Sequence, residues 1–277
     1  MINRYRSIFC LSVKFVGKRP TQLYTKSSFS TSSAISNACV SYRPVAYWLF
    51  GMSGLVAGMV TVGGITRLTR SGLSMTDWKL KGSLPPITHQ EWEQEFTRYK
   101  QYPEWQQRKN MTLDEFKFIY FWEYGHRMMG RFIGIAFVVP GLYFTYKKMI
   151  PKYLYPRIMM LFGLGGTQGL IGWWMVKSGL HNIDPNQKKE IRVSPYRLAT
   201  HLSMAFTTYV LLLWTAMDVM QNVEAAKDTA SKLCKNGLKY TKRLRGMAIV
   251  SGVLAATTVV SGAFVAGNDA GMYYNMN

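Results

Sequence analysis

The chain has 277 residues, with 34 Lys and Arg against 14 Asp and Glu, a formal net charge of 34 − 14 = +20. Hydrophobic residues make up 48% and charged residues 17%, which excludes a disordered, solvating polymer. The charges and the apolar residues are bunched in alternation. The basic balance therefore belongs to loops and to the N-terminal arm, and nucleic-acid binding loses its main support.

Residues 1–43 carry Arg4, Arg6, Lys14, Lys18, Arg19, Lys26 and Arg43 and no acid, with Ser and Thr dense from Thr25 to Ser36. Basic, Ser-rich and acid-free is the composition of a mitochondrial transit peptide, with cleavage expected after Phe29. Lys14 and Lys18 interrupt the apolar run that a secretory signal needs. Cys10, Cys39 and Cys234 have neither metal-type spacing nor a disulfide framework.

Five apolar stretches follow, each near the ~20 residues that cross a bilayer as a helix. They are Val45–Gly64, Phe132–Tyr146 extended upstream through Phe118–Trp122, Ile158–Val176, Leu198–Met217 and Met247–Gly267. The sequence thus predicts an all-α integral membrane protein: a four-helix transmembrane bundle over 44–217, a connecting loop over 218–245, and a fifth helix over 246–277. Glycines recur inside the spans at Gly51, Gly54 and Gly58 and at Gly163, Gly165, Gly166, Gly169 and Gly172, which suits close helix packing. The string Gly163–Gly169 does not open a helix after a strand, so it is no dinucleotide loop.

Loop charge gives the orientation. The Lys147–Arg157 turn and the Asp218–Arg245 loop each carry a net +4, against +2 on Ile65–Lys117 and +3 on Lys177–Arg197, with +7 on the N-terminal arm. The excess predicts a matrix-side N-terminus and puts loop 65–117 in the intermembrane space. That loop holds Trp78, Trp92 and Trp105, and its pattern predicts a helix over His89–Tyr99.

Ionisable residues at membrane depth are costly and point to function. Glu123-Tyr124-Gly125-His126-Arg127, with Arg131 a turn further, opens the second span, and His201 lies about five residues into the fourth. Both spans run in the same direction, so the two histidines stand at one level, and paired imidazoles at one level suit a haem iron. Glu123, His126, Gly130 and Gly134 share one helical stripe, the two glycines leaving room for a macrocycle. Arg127 and Arg131 flank it, placed either to pair with propionates or to reach lipid headgroups. His89 and His181 lie in loops and read as solvated.

Several strings resemble the haem A synthase family: Gly63–Trp78 (GGITRLTRSGLSMTDW), Glu123–Arg127 (EYGHR), Gln168–Trp173 (QGLIGW), Tyr196–Leu202 (YRLATHL) and Ser261–Gly267 (SGAFVAG), in the family's order. The resemblance implies an inner-membrane oxidoreductase that oxidises the C8 methyl of haem O to the formyl of haem A for cytochrome c oxidase. It implies eight helices in two similar halves, of which this chain has the first half and the first helix of the second. His126 and His201 then correspond to the axial ligands of the first-half haem, and Glu123 to the acidic residue of catalysis. Ferredoxin with its reductase, haem O synthase, membrane lipid and a homo-oligomeric assembly are the implied partners. The histidine pair for a haem b in the second half has no counterpart before Asn277, so the sequence reads as a fragment. The external cysteine pair of bacterial members has none either. Two other readings of the residues stand beside this one: a non-catalytic bis-histidine haem module, and a multispan carrier in which the Glu-His-Arg cluster handles substrate or protons.

Overall fold

A computed structural model of the chain describes residues 31–75, 77, 82–180, 192–221 and 235–268. The first 30 residues, Trp78, His181, Cys10 and Cys234 lie outside them. Contacts separate Met1–Ala38 from Cys39–Asn277, and the second unit holds the site. Six α-helices and no strand occur among the described residues: α1 Thr31–Leu68, α2 His89–Tyr99, α3 Leu113–Tyr146, α4 Tyr155–Leu180, α5 Pro195–Met220 and α6 Lys235–Gly267.

Four of them are long and apolar enough to cross a membrane: Tyr42–Leu68 of α1, Leu113–Tyr146, Pro195–Met220 and Tyr240–Gly267 of α6. The fifth expected span, in α4, is a continuous helix of 26 residues, as long as α5. Its glycines, Gln168 and two tryptophans dilute its apolarity, which is why it falls outside the apolar four. The second expected span belongs to a longer element than its apolar run suggested. α3 has 34 residues, about 50 Å at 1.5 Å per residue, against a hydrocarbon core of about 30 Å. Counting back about 20 residues from Tyr146 reaches Arg127, so the first turns of α3 stand clear of the hydrocarbon.

Local chemistry sets the ends. Thr88 and Glu91 form a capping box at α2, and Thr112 and Glu115 form another at α3, each satisfying helix N–H groups that have no partner within the helix. α1 ends where Arg70 turns to a φ of 53° and Ser71 N–H donates back to Thr66 O at 2.9 Å. Pro195 opens α5 at a position where its missing N–H costs nothing.

Two buried clusters hold the bundle. At the end carrying the 147–154 turn, Val45, Leu49 and Met52 of α1 meet Phe144, Ile150, Leu154, Ile158 and Leu161, with Leu212 and Ala216 of α5. At the opposite end, carrying the long loop, Phe96 and Tyr99 of α2 pack on Phe116, Ile119 and Tyr120 of α3, with Trp92 and Trp105 against them. This second cluster forms a cap built by the loop after α1, and it covers the start of α3. α4 packs along α5, and α5 along α6. Arg67 at the end of α1 donates to the carbonyls of Ala266 and Gly267 at the end of α6.

Candidate functional site

Glu123 is 3% exposed on α3, three residues before His126 and on the same helical face. Its Oε2 accepts from Ser74 Oγ at 2.7 Å and from Met75 N–H at 2.8 Å, and its Oε1 pairs with the Arg127 guanidinium. Arg127 also donates to Asp77 O at 2.8 Å and Met75 O at 2.9 Å. These bonds stitch the Ser71–Asp77 segment onto α3. Buried ions are tolerated when paired and hydrogen-bonded in this way. Arg127, expected at the propionates, directs these bonds to Glu123 and the loop backbone. Arg131 donates to Arg127 O at 2.9 Å and packs beside Gly82, whose φ of 84° needs a glycine.

The two histidines come from α3 and α5, each with a ring set against a glycine of a neighbouring helix. A Cβ added at Gly63 of α1 would lie 3.3 Å from His126 Nε2, and one at Gly172 of α4 would lie 3.2 Å from His201 Cε1. Each glycine thus lets an imidazole approach the backbone at a distance where even a methyl group would crowd the ring. The two rings lie within electrostatic reach of one another. His201 Nδ1 is buried and has no hydrogen-bond partner among the described residues. Its helix is tied to α4 instead through the backbone, Gln168 Nε2 donating to His201 O at 3.1 Å.

A buried imidazole nitrogen without a partner among the described residues and two glycine-backed rings suit a pair of ligands for a flat metallated group. No cluster of three or more His, Cys, Asp or Glu able to hold a metal ion occurs among the described residues. Of the stripe that includes His126, Gly134 faces open space, whereas a Cβ at Gly130 would meet Met59 Cε at 3.3 Å. Gly130 therefore serves the α1–α3 contact. His89 is the exposed first residue of α2, 3.4 Å from Glu93.

Sequence reasoning missed Gly63, Gly172, Ser74 and the Met75 N–H. Gly63, Gly172 and Ser74 sat in the motifs already singled out, but which helix each one faces depends on interhelical register. It also missed Tyr99 and Glu104 of the cap. Tyr99 is fully buried and Glu104 is 7% exposed. Burial pushes the Glu104 carboxyl up to about 7 against the opposing pull of Arg108, and burial together with Glu104 raises the Tyr99 hydroxyl.

The family model COX15-CtaA, described as cytochrome oxidase assembly protein, matches residues 46–277. The chain is 47% identical over 232 residues to a heme A synthase COX15 of Arabidopsis thaliana, covering 83% of this chain and 49% of the relative. It is 45% identical over 236 residues to the heme A synthase COX15 of Homo sapiens, covering 84% and 55%. It is 45% identical over 240 residues to a heme A synthase-mitochondrial ferredoxin fusion protein of Schizosaccharomyces pombe, covering 84% and 39%. The chain spans about half the length of the curated relatives it matches. No solved structure matches it.

Proposed function

Because the chain belongs to the COX15-CtaA family of cytochrome oxidase assembly proteins, we propose that it takes part in haem A synthesis at a mitochondrial inner membrane, oxidising the C8 methyl of haem O to a formyl. The substrate iron sits between His126 and His201, and the observation that carries this reading is the pair of glycine-backed imidazoles, with the bare Nδ1 of His201. Bound there, the haem supplies the redox-active iron and the methyl to be oxidised.

The chain's own residues do the rest. His126 and His201 orient the macrocycle by fixing its axis between α3 and α5. Glu123, one turn from His126, presents a carboxylate that stabilises positive character at the methyl carbon and takes protons from it. Arg127, Ser74 and Met75 N–H hold that carboxylate in place. The cap over the start of α3 keeps bulk water from it. The electrons that leave the methyl are taken up by a redox partner of ferredoxin type, in keeping with the ferredoxin fused to the fission yeast relative.

The second reading, a bis-histidine haem module without chemistry, is favoured by one observation. Glu123 Oε2 accepts from Ser74 and Met75 N–H of the loop, so the carboxylate also works as an anchor. The test is to express the chain in cells that lack haem A synthase, then extract and separate the haems. Appearance of haem A, lost in His126→Ala, His201→Ala and Glu123→Ala, supports the enzyme. Haem retained by the chain with no haem A formed supports the module. A haem content unchanged in both histidine variants ends both readings.

A further inference from the structure

Gln168 and Gly172 stand about one turn apart on one face of α4, and both meet His201 of α5. Gly172 makes room for the ring, since a Cβ there would lie 3.2 Å from His201 Cε1. Gln168 holds the backbone beside it, its Nε2 donating to His201 O at 3.1 Å. That carbonyl can only accept, so the amide nitrogen is the end that faces it, and Gln168 Oε1 is turned away. Two buried polar atoms are then left over at this contact. Gln168 Oε1 and His201 Nδ1 are both inaccessible to solvent and have no hydrogen-bond partner among the described residues.

The two atoms are complementary. A neutral imidazole bound to a metal through one nitrogen carries its proton on the other, and an amide oxygen is an acceptor. Nδ1 of His201 is enclosed by protein, so the nitrogen left to face a macrocycle is the ring's Nε2, and Nδ1 is the one that carries the proton. Leaving a buried N–H and a buried amide oxygen both bare is costly, and joining them removes both costs at once. A metal-ligating histidine almost always donates its other N–H to a carbonyl, a carboxylate or a water, which fixes the tautomer and the orientation of the ring. Here the acceptor belongs to a residue that already touches His201.

We propose that Gln168 is the positioning residue of His201: its Oε1 accepts from His201 Nδ1–H, directly or across one bound water, while its amide nitrogen holds the α5 backbone, so that the ring presents its Nε2 to the haem iron. The inference rests on the reading of His201 as a haem ligand. One side chain thereby fixes both the height of His201 against α4 and the rotation of its ring. A held Nδ1 proton also makes the imidazole a stronger donor to iron, so the potential of a bound haem is set in part from α4. An amide does this at membrane depth without the cost of a charge.

The test uses the full chain in lipid nanodiscs loaded with haem O. Gln168→Leu removes both the amide donor and the acceptor, whereas Gln168→Glu removes the amide donor and keeps an acceptor. The midpoint potential of the haem is read from its visible spectrum during redox titration, and affinity from titration with haem O, with helix content as the folding control. The potential should rise in Gln168→Leu and stay at or below the parent's in Gln168→Glu. Affinity for haem O should fall about tenfold in Gln168→Leu. A glutamine that only ties α5 to α4 would move both variants alike, because both lose the amide bond to His201 O. A potential that fails to rise in Gln168→Leu, or that rises in both variants, therefore overturns the proposal while leaving His201 as a ligand. A parent chain that takes up no haem O overturns the ligand reading itself, and this inference with it.

Discussion

Around His126 the α3 helix is clamped: one residue, Glu123, collects Ser74, Met75 N–H and Arg127, and Arg127 reaches on to Asp77 O. Around His201 the α5 helix carries no such lattice. The ring nitrogen Nδ1 has no partner among the described residues, and a backbone bond from Gln168 with the Arg197–Trp174 contact holds the helix to α4. The contrast teaches that the two histidines are fixed by different means. His126 is positioned through the loop-borne polar cap, and His201 through helix–helix packing against Gly172. Chemistry that needs a carboxylate is thereby confined to the α3 side.

The largest expected effect tests whether the two sides form one site. His126→Ala and His201→Ala should each cost at least tenfold in haem occupancy, read from the visible spectrum of the purified chain; equal haem in either variant would show that the two rings do not share a ligand. Next comes the clamp. Glu123→Ala leaves the buried Arg127 charge without its counter-ion, and losing one partner of a buried pair costs ~3–5 kcal/mol. Hydrogen exchange should rise in 70–77 while the 147–161 packing on α1 stays protected. Uniform loss of protection would instead mean that the cap is not a separate unit.

On the α5 side, Gly172→Ala puts a methyl 3.2 Å from His201 Cε1. Overpacking of this kind costs about 1–3 kcal/mol, and it should shift the haem spectrum without loosening 70–77. Gly63→Ala is the matching probe for His126. An unchanged spectrum in both would separate the glycines from ligand placement.

The smallest effect concerns pH. The Glu104 carboxyl is raised from 4.5 to about 7 in the folded cap, so the folded chain binds the extra proton between those values. The Glu104 contribution to cap stability is therefore fully present below about pH 4.5 and is lost as the pH rises toward 7. Glu104→Gln should flatten that dependence by a few degrees in the thermal midpoint of the cap. A slope that survives the substitution would assign it to another group.

Much of this was legible in the chain. Apolar runs fixed the helices because a bilayer rewards length and apolarity with little regard to neighbours, and Glu123, His126 and His201 stood out because ionisable groups at depth are rare. α2 was visible as an amphipathic pattern between Thr88 and Lys100. α4 shows the limit: Gly172 and Gln168 read in the sequence as interruptions of an apolar run, yet those two residues meet His201.

What one-dimensional order determined was which segments are helices and which face of α3 carries Glu123 and His126, since a 3.6-residue period and a 1.5 Å rise are properties of a single strand of chain. Which partners those side chains meet was decided only in three dimensions. That Arg127 turns to Glu123 and the loop carbonyls, that Gly63 and Gly172 back the two rings, and that Tyr99 and Glu104 lie buried beside the anchoring loop all depend on interhelical register and on the path of residues 69–112. Local propensity does not encode either one, because both are set by packing between segments far apart in sequence.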